Sequence, residues 1–138
     1  MPYTFEVDWG HRIFRASFHG RVTDEDVKAA YQEAYQELFH IQSHTVVVNF
    51  APATEFAVSS EITVEIAKLA PVVRDPTFVE IIIAANDESY QRAQLYTKWG
   101  SGSRPNLHVV RNEEDAWKIL RIENPQFSPY SKGRPAGA

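Results

Sequence analysis

The chain has 138 residues, 43 % apolar and 23 % charged, with a net charge of −4. This is one domain of ordinary globular composition, and its acidic balance speaks against a general nucleic-acid binder, which needs a basic face. There is no cysteine, so disulfides, thiolate metal sites and cysteine nucleophiles are excluded. No stretch approaches the about 18 apolar residues of a membrane span. The opening Met1–Glu6 lacks the charged and apolar regions of a signal peptide, so the expected location is cytoplasmic.

Val and Ile together number 22 against 5 Leu, a ratio that suits a sheet better than a helical bundle. Residues 3–7 alternate, with Tyr3, Phe5 and Val7 on one side, and predict a half-buried strand. Asp8-Trp9-Gly10-His11 reads as a hairpin turn, with Gly10 supplying any positive φ. The second strand, 12–19, places Phe14, Ala16 and Phe18 together and ends at Gly20. A helix follows, its stripe formed by Val27, Ala30, Tyr31, Ala34, Tyr35 and Leu38. Thr23 with Asp26 resembles a capping box, and Asp24, Glu25 and Asp26 suit the positive end of the helix dipole.

Residues 45–50 form an apolar run that predicts a strand buried on both faces, as in a parallel sheet. Residues 51–58 read as a loop, because Pro52 bars regular structure there. A second helix is expected over 59–70 with Ile62, Ile66, Leu69 and Ala70 on its stripe, bracketed by Pro71 and Pro76. Residues 78–85 are the most hydrophobic strand and the expected sheet centre. Asn86 or Asp87 caps a third helix, 88–99, carrying Leu95, Tyr96 and Trp99. Residues 100–105 read as a flexible connector or a lid, 107–110 as the last strand, and Asn112 as the cap of a final helix with Ala116, Trp117, Ile119 and Leu120 inward. Tyr3, Phe5 and the tryptophans read as core.

The fold expected is α/β: a five-stranded mixed sheet, an antiparallel hairpin followed by βα units, with four helices. Residues 1–123 make the domain. Residues 124–138 form a Pro/Gly-rich tail without regular structure, which Phe127 and Tyr130 could tack onto it. The hairpin edge offers a place for a homodimer to pair.

In open α/β sheets ligands lie outside the carboxyl ends of parallel strands. Those ends here are Asn49-Phe50, Asn86-Asp87 and Arg111-Asn112, and the 51–58 loop opens over the same edge. The loop ends in Val58-Ser59-Ser60-Glu61, where a serine can cap the second helix or carry a phosphate at its N-terminus. No catalytic constellation is complete: Ser59 lacks a Gly-x-Ser-x-Gly elbow and the 100–105 segment is not a Walker loop. His40 and His44 have a metal-binding spacing but no third ligand. No enzyme activity, metal or cofactor is expected.

The order hairpin, helix, βα units, with Gly20-Arg21-Val22-Thr23 after the second strand, resembles the STAS domain, the fold of the sporulation anti-anti-sigma factors. More narrowly it resembles the bacterial SpoIIAA-like, STAS/SEC14-type small proteins. The opening Tyr3-Thr4-Phe5-Glu6 and the stretch Val109 to Trp117 are similar to theirs, and the resemblance covers about residues 2–122. Anti-anti-sigma factors carry Asp-Ser-Ser-Gly at the start of the second helix, with the first serine phosphorylated by a partner kinase. The resemblance therefore implies Ser59 as phosphosite and Ser60 as its neighbour. Val58 replaces the Asp, Glu61 replaces the Gly, and Asn49 stands where such domains often have Asp.

The expected function is a non-catalytic, regulatory module that binds a protein partner through the 51–66 loop and helix. Asn49, Phe50, Phe56, Val58, Ile62, Ile66, Asn86 and Arg111 are the expected contact residues. The SEC14-type resemblance adds an alternative. A small apolar ligand would then lie under the second helix, lined by Phe50, Phe56 and Val58 with Ile62 and Ile66 below. Neither reading involves nucleic acid or membrane insertion.

Overall fold

A computed structural model describes residues 2–41, 43–73, 75 and 77–130. The elements run β1 (Tyr3–Asp8), β2 (Ile13–Phe18), β3 (Gly20–Thr23), α1 (Asp24–Ile41), β4 (Thr45–Asn49), β5 (Ala53–Ala57), α2 (Ser60–Ala67), β6 (Val79–Ile83), α3 (Asp87–Gly100), β7 (Leu107–Val110), α4 (Glu113–Leu120) and β8 (Ser128–Pro129). Six strands form one mixed sheet in the order β7-β6-β4-β2-β1-β8, while β3 and β5 pair in a separate parallel ribbon. The five expected strands are all present. The β1–β2 hairpin is antiparallel, and β2, β4, β6 and β7 are successive parallel neighbours.

The sheet separates two cores. On one face Phe5, Phe14, Phe18 and Val46 meet Ala30, Ala34 and Leu38 of α1, and Ile82 meets Ala93 of α3. On the other face Ile13, Val47, Ile81 and Ile83 pack against Ala116, Trp117 and Leu120 of α4. Strands buried on both faces favour apolar residues at successive positions, which is why Val46–Val48 of β4 and Ile81–Ile83 of β6 are apolar runs.

Four local expectations change. The left-handed residue of the hairpin is Arg12 (φ 57°), not Gly10. The Asp8 carboxylate accepts the His11 backbone N–H at 2.9 Å and so shapes the turn itself. The 51–58 segment is a strand rather than a loop, because Pro52 precedes it and Val22 and Phe56 pair across the ribbon. Gly20, at φ 65°, lets the chain turn from β2 into β3. The sheet centre is β4 and β2; β6 sits beside edge strand β7. Trp99 is 49 % exposed, with Lys68 Nζ 4.9 Å above its ring, rather than core.

The described part of the tail packs onto the domain. Gln126 N–H donates to Asp8 at 2.8 Å, and Phe127 stacks under the Arg15 guanidinium at 3.8 Å and against Trp117. Ser128 and Pro129 pair with Val7 and Glu6. The Tyr130 hydroxyl donates to Glu37 at 2.7 Å. Over residues 5–7 the hairpin edge offered for dimer pairing is thus occupied by the chain's own strand, a common way of protecting an edge. Residues 131–138, Pro76 and the His40 side chain lie outside the described residues.

The connector after α3 contains the largest fully buried side chain, Arg104, only 2 % exposed. Its guanidinium donates to the carbonyls of Ala67 (2.9 Å), Leu69 (3.2 Å) and Ile66 (3.4 Å) at the end of α2. Its Nε lies 3.5 Å from the buried carboxylate of Glu80 on β6. Gly100 makes room: a Cβ there would stand 3.3 Å from the guanidinium and 3.5 Å from Ala67. Burial pushes the Glu80 carboxyl above its ordinary value, against the pull of the Arg104 charge and the Tyr96 hydroxyl.

Arg104→Met strands the Glu80 carboxylate and uncaps α2, so a loss of about 3–5 kcal/mol is expected in denaturant melts. A loss under about 1 kcal/mol would mean that the pair does not anchor α2. Because the Glu80 pKa is raised by folding, its stabilising contribution is complete below the unfolded value of about 4.5 and is lost as pH rises through the folded value. Glu80→Gln should therefore gain on the wild type as pH rises from about 4.5 towards neutrality. A constant difference across that range would contradict it.

Candidate functional site

The start of α2 is tied to the start of α1. Ser59 caps α2, its Oγ accepting from Ile62 N–H at 3.1 Å. The same hydroxyl donates to Asp24 at 2.7 Å, and Ser59 N–H donates to the other oxygen of that carboxylate at 2.7 Å. The acidic run at 24–26 therefore divides its work. Asp26 accepts from Thr23 backbone and hydroxyl, as the capping box predicts, while Asp24 reaches across to α2. Ser60 is exposed and Ser59 half-buried.

Beneath this tie lies a half-open cavity of about 130 Å³, bordered by the sheet face, β5 and helices α1 to α3. Its sheet wall is Phe14, Ala16, Phe18, Val46, Val48 and Ile82; Phe50, Phe56 and Val58 close one side. It exists because small residues face one another. Ala16 on β2, Ala30 and Ala34 on α1 and Ala93 on α3 leave space that larger side chains would fill. The rings of Phe18 and Phe50 pack at 4.9 Å, and those of Phe50 and Phe56 at 5.1 Å edge-on.

The wall also carries polar groups. Ser89, Arg92, Ala93 and Tyr96 follow one stripe of α3 and all line the cavity. That stripe differs from the expected Leu95, Tyr96 and Trp99 face, and of those three only Tyr96 lines the cavity. Arg92 Nε donates to the Val58 carbonyl at 2.9 Å. Glu80, Arg104 and Tyr96 form a second group. Burial, then the Glu80 charge, holds the Tyr96 phenol well above its ordinary value. Burial also raises the phenol of Tyr31, whose hydroxyl donates to the Ala70 carbonyl.

Of the residues expected to form a site, Phe50, Phe56, Val58 and Ile66 meet at this cavity. Ile62 packs beside the same core. Three others stand apart. Asn49 is buried, accepts from Ala51 N–H at 3.1 Å and donates to Glu113 at 3.2 Å at the start of α4. Asn86 caps α3, accepting from Ser89 N–H at 2.8 Å. Arg111 is exposed, 3.1 Å from Asp87 and stacked on Tyr90 at 3.9 Å. Sequence reasoning missed Asp24, Glu80, Arg92 and Arg104. A lone acid inside the apolar run 78–85 was the available signal for Glu80. Among the described residues no group of three His, Asp or Glu side chains could hold a metal ion, and no helix is long and apolar enough to cross a membrane.

The structure is similar to that of the anti-sigma factor antagonist SpoIIAA in its unphosphorylated form. The TM-score is 0.59 at 14 % identity, over 88 % of this chain and 99 % of that one. The fold is STAS-like. No protein-family model and no curated protein matches the sequence. At this identity the likeness is one of architecture. The STAS-like sheet is here extended by β8, one strand more than the five expected.

Ser59→Ala removes both the cap and the tie to Asp24, and should cost about 0.5–2 kcal/mol in denaturant melts. Ser60→Ala, on the exposed side, should stay within about 0.5 kcal/mol. Equal losses for both would refute the assigned division between them.

Proposed function

We propose that this chain is a non-catalytic STAS-like module that meets a regulatory protein partner through the 51–66 segment. The observation that carries this reading is the outer side of β5 and α2. There Thr54, Glu55, Ser60, Glu61 and Glu65 are all exposed on a ridge held rigid from below by Asp24 and Arg104. A rigid, polar, pre-formed surface loses little entropy on binding. The similar structure belongs to an anti-sigma factor antagonist, whose role is defined by another protein. The reading does not depend on phosphorylated Ser59. A phosphoryl group there would replace the bond to Asp24 with a dianion beside that carboxylate and near Glu61. A cytoplasmic setting fits such a role.

The test is crosslinked pull-down from the protein's own cells. Wild type is compared with Ser60→Arg/Glu61→Arg and with a control, Glu114→Arg, on α4. The ridge variant should lose about tenfold in recovery of a partner that the control retains. Equal recovery by all three would place the interface elsewhere.

The cavity favours a second reading, a small apolar ligand held by the same segment. Phe50, Phe56, Val58 and Ile66 line it, and its volume approaches the about 150 Å³ of apolar cavities that bind benzene.

A further inference from the structure

We propose that the cavity takes a small monocarboxylate, with its apolar body between the sheet and α1 and its carboxylate on Arg92. This rests on the second reading above and specifies its ligand. Two arginines, Arg92 and Arg104, are among the residues that line the cavity, and their partners differ. Arg104 has Glu80 as its counter-charge, and its two Nη atoms donate to three α2 carbonyls and to Ser103 Oγ. Arg92 has one interaction, its Nε–H to the Val58 carbonyl, and no carboxylate partner among the described residues. A half-buried cation in an apolar wall is costly without a counter-charge. The remaining guanidinium N–H groups are suited to receive a carboxylate.

Size and charge narrow the class. A cavity of about 130 Å³ accommodates one ring or a chain of about six carbons. A second negative charge in the same enclosure would face the Glu80 carboxylate, so a monoanion fits and a dicarboxylate does not. Ser89, one turn before Arg92 on the same stripe, also lines the wall, with its hydroxyl donating to the Asn86 carbonyl at 3.0 Å.

The experiment is calorimetric titration with phenylacetate and hexanoate, and with their neutral twins phenylacetamide and hexanamide. Amide NMR shifts at Ser89 and Ala93 locate the binding. In wild type the acids should bind at least about tenfold more tightly than the amides. Arg92→Gln should abolish that preference, and Arg92→Lys should keep most of it. Ala93→Leu, which fills the cavity, should remove binding of both kinds. Equal binding of acids and amides to wild type would overturn the assignment to Arg92 while leaving the apolar-ligand reading intact. Binding of neither kind would overturn both. Acid binding that survives Ala93→Leu, or that leaves the Ser89 and Ala93 amides unshifted, would place the carboxylate on the outer surface and also overturn the proposal. The comparison of acid with amide needs no variant, so a poorly folding substitution does not remove the test.

Discussion

The arrangement around α2 depends on one buried ion pair. Arg104 enters from the segment after α3, closes the end of α2 through three carbonyls and meets Glu80 on β6. One side chain thus ties two helices and a strand that are far apart in sequence. An eight-residue helix is too short to be stable by itself, so its position must come from tertiary contacts. The Ser59–Asp24 tie holds the other end. Between the two anchors α2 bridges over the sheet instead of collapsing onto it, and the cavity is the space beneath.

That geometry links the two functional readings. The ridge that would face a protein partner and the cavity that would hold a small acid are the outer and inner sides of the same β5–α2 segment. Phe56, Val58 and Ile66 line the cavity while their chain forms the ridge. The α4 face is built differently. Arg15 is enclosed by Glu6, Glu113 and the Phe127 ring, and Asn49 joins the same group. Those contacts hold the sheet, α4 and the tail together and leave the side that carries the cavity to the other three helices.

Much of the architecture was legible because it follows from local periodicity. The Val and Ile runs of β4 and β6 announced strands buried on both faces, and Asn86 and Asn112 announced their helices. The candidate site was legible in part. The SEC14-type resemblance put Phe50, Phe56, Val58, Ile62 and Ile66 at one pocket, and all of these but Ile62 line the cavity. Asn49 was misplaced because alternation along β4 turns it to the opposite face from Val48. The stripe of α3 was misread because Arg92 scores as surface by residue type, while its side chain lies along the cavity wall.

The sequence by itself determined the four helices, the five strands expected of the sheet, their hairpin-plus-βα order and the caps, since each depends on residues within a few positions of one another. Tertiary structure alone decided what Arg104 does, where Asp24 points, that Pro129 and Tyr130 continue the sheet, and that alanines from three elements leave a cavity. The physical reason is common to all four. A buried charge, a cross-helix carboxylate, an edge strand and an empty volume are each defined by partners from distant parts of the chain, and local pattern carries no record of which partners meet.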